Sequence, residues 1–363
     1  MTGILVTGFP GFLGSALLPR LLARGPDVEA WCLVQPQHVA LAERRISELA
    51  QEHPHVGRRV HVLAGDLTRT DLGLDAGALA TARGVSEVWH LAAVYDLAVG
   101  EEVARRVNVE GTQRVLELCR QVPGLRRLHY VSTCYVSGRY AGEFGEDDLD
   151  EGQELRNHYE ETKLEAELAV RKAMADGLPA TVYRPGIVVG DSTTGETQKY
   201  DGPYFLAQFL RRQPRVAVVP ALGDVDRVRV CLVPRDFVVD AMDRLSALDA
   251  SLGRTYALTD PHPPTVRELV DAFAARLGRR VLWVRLPVGP TRALVGGVPG
   301  LERLLGLPAE ALEYFASPTT YSTANATADL SGTGLACPPF ATYADRLLDY
   351  MAAHPEVGSA AMT

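Results

Sequence analysis

The sequence has few cysteines. Cys32, Cys119, Cys134, Cys231 and Cys337 are odd in number, widely scattered and form no C-x-x-C pair. That excludes a disulfide framework and a zinc site as organising devices and fits a reducing, cytoplasmic setting. Basic charge is also in deficit: 37 Lys and Arg stand against 45 Asp and Glu, for a net charge of −8. The broad positive field needed for sequence-independent nucleic-acid binding is missing, so DNA and RNA are not expected partners. No basic n-region or long apolar run precedes Ile4, so no secretory leader is expected. No membrane span is expected either, because the most apolar long stretch, residues 286–308, is broken by Pro290, Arg292, Pro299 and Arg303. Repeats and low-complexity tracts are absent. What remains is 363 residues, 47% hydrophobic and 23% charged, enough for one large domain with a smaller lobe.

The first half alternates short β-rich runs with amphipathic stretches. Strands are expected at 4–7, 28–34, 60–63, 85–91, 128–132 and 180–184, with helices opening at Gly14 and spanning 39–50, 101–122 and 154–175. Strands joined by helical crossovers give a parallel sheet covered on both faces, an α/β doubly wound fold. Beyond Arg184 the pattern changes. Residues 191–204, polar and rich in Ser, Thr and Gly, read as a mobile loop. Further helices are expected at 205–212, 235–248 and 265–277, and strands at 216–219 and 228–233. Residues 1–190, with 224–258 returning to them, form the expected nucleotide-binding domain; 191–223 and 259–363 form a C-terminal substrate-binding lobe.

Thr7-Gly8-Phe9-Pro10-Gly11-Phe12-Leu13-Gly14 follows the first strand and opens a helix. In that context Gly8 permits a tight turn, Gly11 lets backbone approach a pyrophosphate, and Gly14 allows close helix packing, with the helix dipole facing the phosphates. Dinucleotide binding is expected there, over the amides of residues 9–13. The second strand ends Cys32-Leu33-Val34-Gln35-Pro36, with no carboxylate to hold an adenosine 2′-hydroxyl and repel a 2′-phosphate. This leans toward NADP, with NAD still possible, and makes Gln35 and Arg44 candidate contacts. Further on, Tyr159 and Lys163 stand four apart on an expected helix and share a face. A phenol with an ordinary pKa of about 10 exchanges protons poorly near neutrality, and a nearby ammonium lowers that value.

The G-x-x-G-x-x-G spacing, Gly65-Asp66-Leu67, His90-Leu91-Ala92-Ala93 and Asn108-Val109-Glu110-Gly111-Thr112, in this order, resemble the extended short-chain dehydrogenase/reductase superfamily. The resemblance implies a Rossmann-type sheet, with Asp66 and Leu67 at the adenine, Leu91, Ala92 and Ala93 lining the cofactor, and Asn108, in the following helix, at the cofactor too. It implies Thr133, after Val131-Ser132, as the group that bonds the substrate oxygen, with Ser132 beside it. Tyr159 becomes the proton donor, Lys163 the ribose contact, and Pro185-Gly186 the backbone at the nicotinamide. Cys134 has no paired His and reads as a small buried residue, not a nucleophile.

The runs His90–Leu97, Arg184–Ser192 and Val233–Asp240 look like the fatty acyl-CoA reductase and thioester reductase branch, also called male-sterility-like. That branch implies NADPH-dependent reduction of an apolar carbonyl substrate, an acyl thioester on coenzyme A or a separate carrier, or an aldehyde. With no adenylation or carrier domain before Gly8, a free-standing reductase is expected. The apolar side chains between Leu286 and Leu307 either wall a hydrophobic pocket or form a lobe core. Alternatives stay open. Arg229, expected on a strand with Arg227 on its face, suggests a nucleotide-sugar epimerase or dehydratase; a hydroxysteroid-type dehydrogenase and a cofactor-bound scaffold protein are the others. A homodimer through 101–122 and 154–175 is also expected.

Overall fold

Short apolar runs flanked by amphipathic stretches can bury both kinds of surface by placing strands side by side with helices on either face. The computed structural model, which describes residues 2–95, 99–286, 314 and 317–358, has that arrangement. Its strands are β1 (Thr2–Thr7), β2 (Val28–Val34), β3 (Val60–Ala64), β4 (Glu87–His90), β5 (Arg127–Val131), β6 (Gly142–Phe144), β7 (Ala180–Pro185), β8 (Ile187–Val189), β9 (Val216–Leu222), β10 (Leu232–Pro234), β11 (Thr255–Leu258), β12 (Arg280–Leu286) and β13 (Thr319–Tyr321). The central sheet runs β3-β2-β1-β4-β5-β7-β11, every pairing parallel. Strand order reverses between β1 and β4, so a crevice opens there at the carboxyl ends of the strands, where such sheets bind ligands.

Helices α1 (Phe12–Ala23), α2 (Val39–Glu52), α3 (Val56–Arg59), α4 (Ala76–Arg83), α5 (Glu101–Ala104), α6 (Gly111–Arg120) and α7 (His158–Ala175) are followed by α8 (Pro203–Arg212), α9 (Arg235–Ser246) and α10 (Val266–Arg276). Leu17, Leu18, Leu21 and Leu22 of α1 join Val238, Met242 and Leu245 of α9 over one face of the sheet. Val115, Leu118 and Cys119 of α6 join Ala166 and Val170 of α7 over the other. A separate core unites α8, α10 and the helix Ala344–Ala353 with β9.

Several expectations change. The stretch 101–122 is not one α-helix: Arg105–Glu110 is a π-helical turn, and it carries the buried Asn108 and Val109. Such bulges commonly mark functional positions. Helix α7 begins at His158, not 154, because the Asn157 side chain caps it by accepting from Glu160 N at 3.0 Å. Helix α1 begins at Phe12, two residues before Gly14. Residues 191–202 are tied down: Asp191 Oδ1 accepts from Thr193 N and Thr194 N, Ser192 N donates to Asp236 Oδ1, and Arg346 donates to Ser192 O. The mobile-loop reading took polar composition for freedom where it supplies hydrogen bonds. Helix α4 and the edge strand β11 had no counterpart in the sequence reading. The apolar stretch after Leu286, with Leu294, Val295, Val298, Leu301, Leu304, Leu305 and Leu307, lies outside the described residues. On the α5–α7 flank, where a homodimer is expected, Val103 and Leu168 are exposed.

Candidate active site

The carboxyl ends of β1 and β4 meet at the turn after Thr7. Gly8 has φ +86°, and a Cβ there would lie 2.8 Å from Ala92 N, so the turn packs directly on the backbone after β4. A Cβ on Gly11 would lie 2.7 Å from Gly8 O, and one on Gly14 2.6 Å. No side chain caps α1, and no acidic residue stands in its first turn. The amino end of this helix is therefore fitted to a pyrophosphate. One donor is lost from the expected set, because Gly11 N is spent on Gly8 O at 3.0 Å, and Pro10 has none. Phe12 and Leu13 supply the first-turn amides, while the Phe9 side chain belongs to the core.

His90 holds this floor together. Thr112 Oγ1 donates to Asn108 O (2.6 Å), so it accepts from His90 Nε2 (3.0 Å), and His90 Nδ1 in turn accepts from Thr7 Oγ1 (2.7 Å). Thr7 Oγ1 also accepts from Ala92 N. Burial, assisted by the Lys163 charge, pushes the imidazole down to about 3, so it stays neutral. His90→Leu would take one hydrogen-bond partner from each of two buried hydroxyls, Thr7 and Thr112; an expected loss of about 1–3 kcal/mol can be read by urea unfolding. An unchanged midpoint would mean that the relay contributes nothing.

Asn108 was expected at the cofactor, but its amide is fully used elsewhere. Oδ1 accepts from Val94 N (2.8 Å), and Nδ2 donates to Val94 O and Thr162 Oγ1 (3.0 Å each). It fixes the segment that follows Ala93 against α7. Asp66 Oδ1 accepts from Thr68 N and Oγ1, both at 2.8 Å, in a local turn, and Leu67 packs against Gly111. Gln35 Oε1 accepts from Gln37 Nε2. Arg44 is exposed on α2, bordering a hollow with Ala40, Glu43 and Ser47 that Gln35 does not line. Gly186 N goes to Leu258 O (3.1 Å), and a Cβ on Gly186 would meet Cys231 O at 2.5 Å, so Pro185-Gly186 is committed to packing as well.

Across the crevice, Thr133 follows β5 and caps a short turn, its Oγ1 accepting from Tyr135 N. Thr133 also lies beside the Tyr159 phenol: burial carries the phenol's pKa up to about 12, and the neighbouring Thr133 hydroxyl works to hold it down. Ser132, though adjacent, buries its hydroxyl without a hydrogen-bond partner among the described residues, near enough to Glu167 to help lower that carboxyl's pKa. Lys163 lies one turn along α7 from Tyr159, yet its ammonium is turned inward, donating to Val131 O (2.9 Å) and Tyr130 OH (3.1 Å) and lying 4.6 Å over the Tyr130 ring. Burial lowers it to about 8, with Glu167 opposing. The expected Lys163 effect on the phenol is thus replaced by those of Thr133 and of Glu160, which raises it.

Tyr130, Glu167 and Arg184 were missed by the sequence reading as parts of this centre. Glu167 extends the Tyr159-Lys163 spacing by four more residues, a signal that was available; Tyr130 belongs to no motif. Buried Glu167 is held below the usual carboxylate range by Arg184 (2.7 Å), which outweighs its burial. Arg184 continues to Asp148 O (2.7 Å). At the head of α7, Arg156 pairs with buried Glu160 at 3.0 Å, and Tyr314 OH donates to Glu160 at 2.9 Å. The crevice rim carries Tyr95, with the Lys199 ammonium 4.6 Å from its ring.

The strand placement of Arg229 falls away, while Cys134 sits as its sequence suggests. Arg229 is not on a strand: it lies at an isolated bridge to Thr265, and its guanidinium donates to Pro263 O (2.6 Å), because the chain turns extended only at Leu232. Arg227, exposed, faces Asp224. Cys134 is buried and donates to Arg184 O (3.1 Å), so the sulfur is not placed as a nucleophile. Among the described residues no group of His, Cys, Asp and Glu is arranged to hold a metal, and no helix is long and apolar enough to cross a membrane.

Residues 6–242 match the family model described as male sterility protein. One of the linear gramicidin synthase proteins of Brevibacillus parabrevis is 30% identical over 287 residues, covering 74% of this chain and 5% of that protein, so the chain spans only a small part of that relative's length. The terminal R domain of the myxalamid PKS-NRPS biosynthetic pathway superposes with a TM-score of 0.83 at 27% identity, covering 98% of this chain and 91% of that one. A thiolation-reductase di-domain from an archaeal non-ribosomal peptide synthetase gives 0.76 at 19%, covering 98% and 76%. With a Rossmann-type sheet, a glycine-rich turn after its first strand and this family match, the chain belongs to the male sterility protein family, the thioester reductase branch of the extended short-chain dehydrogenase/reductases, and is an NAD(P)-dependent oxidoreductase.

Proposed function

We propose that the chain reduces an apolar acyl thioester carried on a thiolation domain, using NADPH. The observation that carries this reading is the placement of Thr133, at the carboxyl end of β5, beside Tyr159, one helical turn from Lys163. The first-turn amides of Phe12 and Leu13 would hold the pyrophosphate, and the third N–H of Lys163, beyond the two given to Val131 O and Tyr130 OH, would hold the ribose. NADPH, when bound, supplies the hydride. Thr133 donates a hydrogen bond to the thioester carbonyl oxygen and fixes its direction. Tyr159, protonated at neutral pH, delivers its proton to that oxygen as negative charge develops there. Cleavage of the C–S bond then leaves an aldehyde and a free thiol.

Carrier delivery is favoured over coenzyme A because the matched relatives are synthetase proteins or their R domains, one of them joined to a thiolation domain. The nucleotide-sugar reading loses its arginine, since Arg229 is engaged with Pro263. The test is NADPH oxidation against decanoyl thioesters of a thiolation domain, of coenzyme A and of N-acetylcysteamine, with decanal and UDP-glucose alongside. Turnover of the sugar alone would sink the proposal.

The cofactor choice follows from Gln35. Gln35→Asp would place a carboxylate where a 2′-phosphate is expected, weakening NADPH roughly tenfold or more and bringing NADH forward. Unchanged relative kcat/KM values for the two nucleotides would reject the NADP assignment.

A further inference from the structure

Strands β9 and β12 form a two-stranded parallel sheet away from the central one. One face, with Ala217, Val219 and Trp283, packs into the lobe core. The other is bare: Val216 is 50% exposed, Val218 47%, Leu282 53% and Val284 38%. The register sets Val218 opposite Leu282 and Val216 opposite Arg280, so the four apolar side chains and Arg280 share the outer face. In an acidic chain that face is bordered by positive charge. Arg211 and Arg212 end α8, Arg215 precedes β9, and Arg280 opens β12, joined to Arg215 by a backbone bond of 2.8 Å. All four are exposed, and none makes an ion pair among the described residues, whereas most arginines elsewhere in the fold are paired.

Exposed β-branched side chains on a sheet with two open edges are ordinarily covered or charged. Helix α8 starts beside Gly190, where Tyr204 OH accepts from Gly190 N, and carries Arg211 and Arg212 at its far end, a span of about 15 Å at 1.5 Å per residue. The face has no aromatic side chain of the kind that anchors proteins at a lipid interface, which favours a protein over a membrane.

We propose that Arg211, Arg212, Arg215 and Arg280, with Val216, Val218, Leu282 and Val284, form the docking surface for an acidic protein domain. Its identity as the thiolation domain rests on the function proposed above. Such a domain meets the arginines with carboxylates and lays an apolar patch on the strands.

Binding is measured by titration calorimetry on the full chain, using apo thiolation domains, that of the archaeal synthetase among them, so that no thioester chemistry is involved. Saturable binding should weaken at least tenfold in the Arg211→Glu, Arg212→Glu, Arg215→Glu, Arg280→Glu variant and recover when the four are Lys. Val218→Ser with Leu282→Ser should weaken it without altering its salt dependence. Turnover of decanoyl-N-acetylcysteamine should be unchanged in all variants, which separates this surface from the active site. Absence of binding, or binding indifferent to the charge reversal, overturns the proposal. So does arginine-dependent binding to phosphatidylglycerol vesicles in its place, or self-association that the variant abolishes. Failure of the decanoyl thioesters with domain binding intact would instead count against the proposed reaction.

Discussion

Tyr159→Phe should lower kcat about a thousandfold, within the range general acids contribute, while NADPH affinity stays within a factor of about three. The substitution leaves the ring packed and removes only the hydroxyl that lies beside Thr133. Thr133→Val should lower kcat too, by less, because Tyr159 would keep its proton and lose only its alignment. The two losses should not add, since the hydroxyls act as a pair. Single-turnover rates with excess NADPH, and nucleotide affinity by fluorescence, check both. Near-normal turnover in Tyr159→Phe would remove the tyrosine from the mechanism.

The second large effect concerns Lys163. Its ammonium, buried and lowered to about 8, is charged at pH 7 and neutral by pH 9.5. NADPH affinity should therefore fall as pH rises past about 8, and Lys163→Met should bind weakly at every pH, without that dependence. Stability should move the other way. Between about pH 8 and the ordinary lysine value of 10.5 the unfolded chain holds this proton and the folded chain does not, so this group's contribution to stability rises with pH. Relative to Lys163→Met, the native chain should gain about 2 kcal/mol between pH 7 and 9.5, at 1.36 kcal/mol per unit. Urea unfolding of both proteins at the two pH values measures the difference. A gap that stays constant would mean that the ammonium is solvated.

The sequence exposed the sheet because each strand buried on both faces is a nearly unbroken apolar run. Val28–Val34 has the bounds expected from its residues. Strand β11, only four residues long at the edge, carries too little pattern to stand out from its surroundings. The site was legible where chemistry demands spacing, as at Gly8, Gly11 and Gly14 and in the four-residue step from Tyr159 to Lys163. It was illegible where side chains meet across long separations. Nothing local to Asn108 says that its amide will be taken by Val94, and nothing near Lys163 says that Tyr130 will hold its ammonium. Those contacts depend on a π-turn and on which way β5 faces, both settled by tertiary packing.

Glu146 accepts backbone hydrogen bonds from Ala257, Asn325 and Ala326, and the head of α7 is closed by Tyr314 and Ser317. These contacts span more than a hundred residues of chain. A ribosome adding about 5–20 residues per second exposes the Gly8–Gly14 turn and the side chains of Thr133, Tyr159 and Lys163 many seconds before the residues that close the head of α7. A nascent chain stopped near residue 310 would bear every chemical group of the proposed reaction without Tyr314, which bonds Glu160 beside Tyr159. Activity during synthesis should therefore appear late and abruptly, with the emergence of the last helices, not in step with the growing sheet.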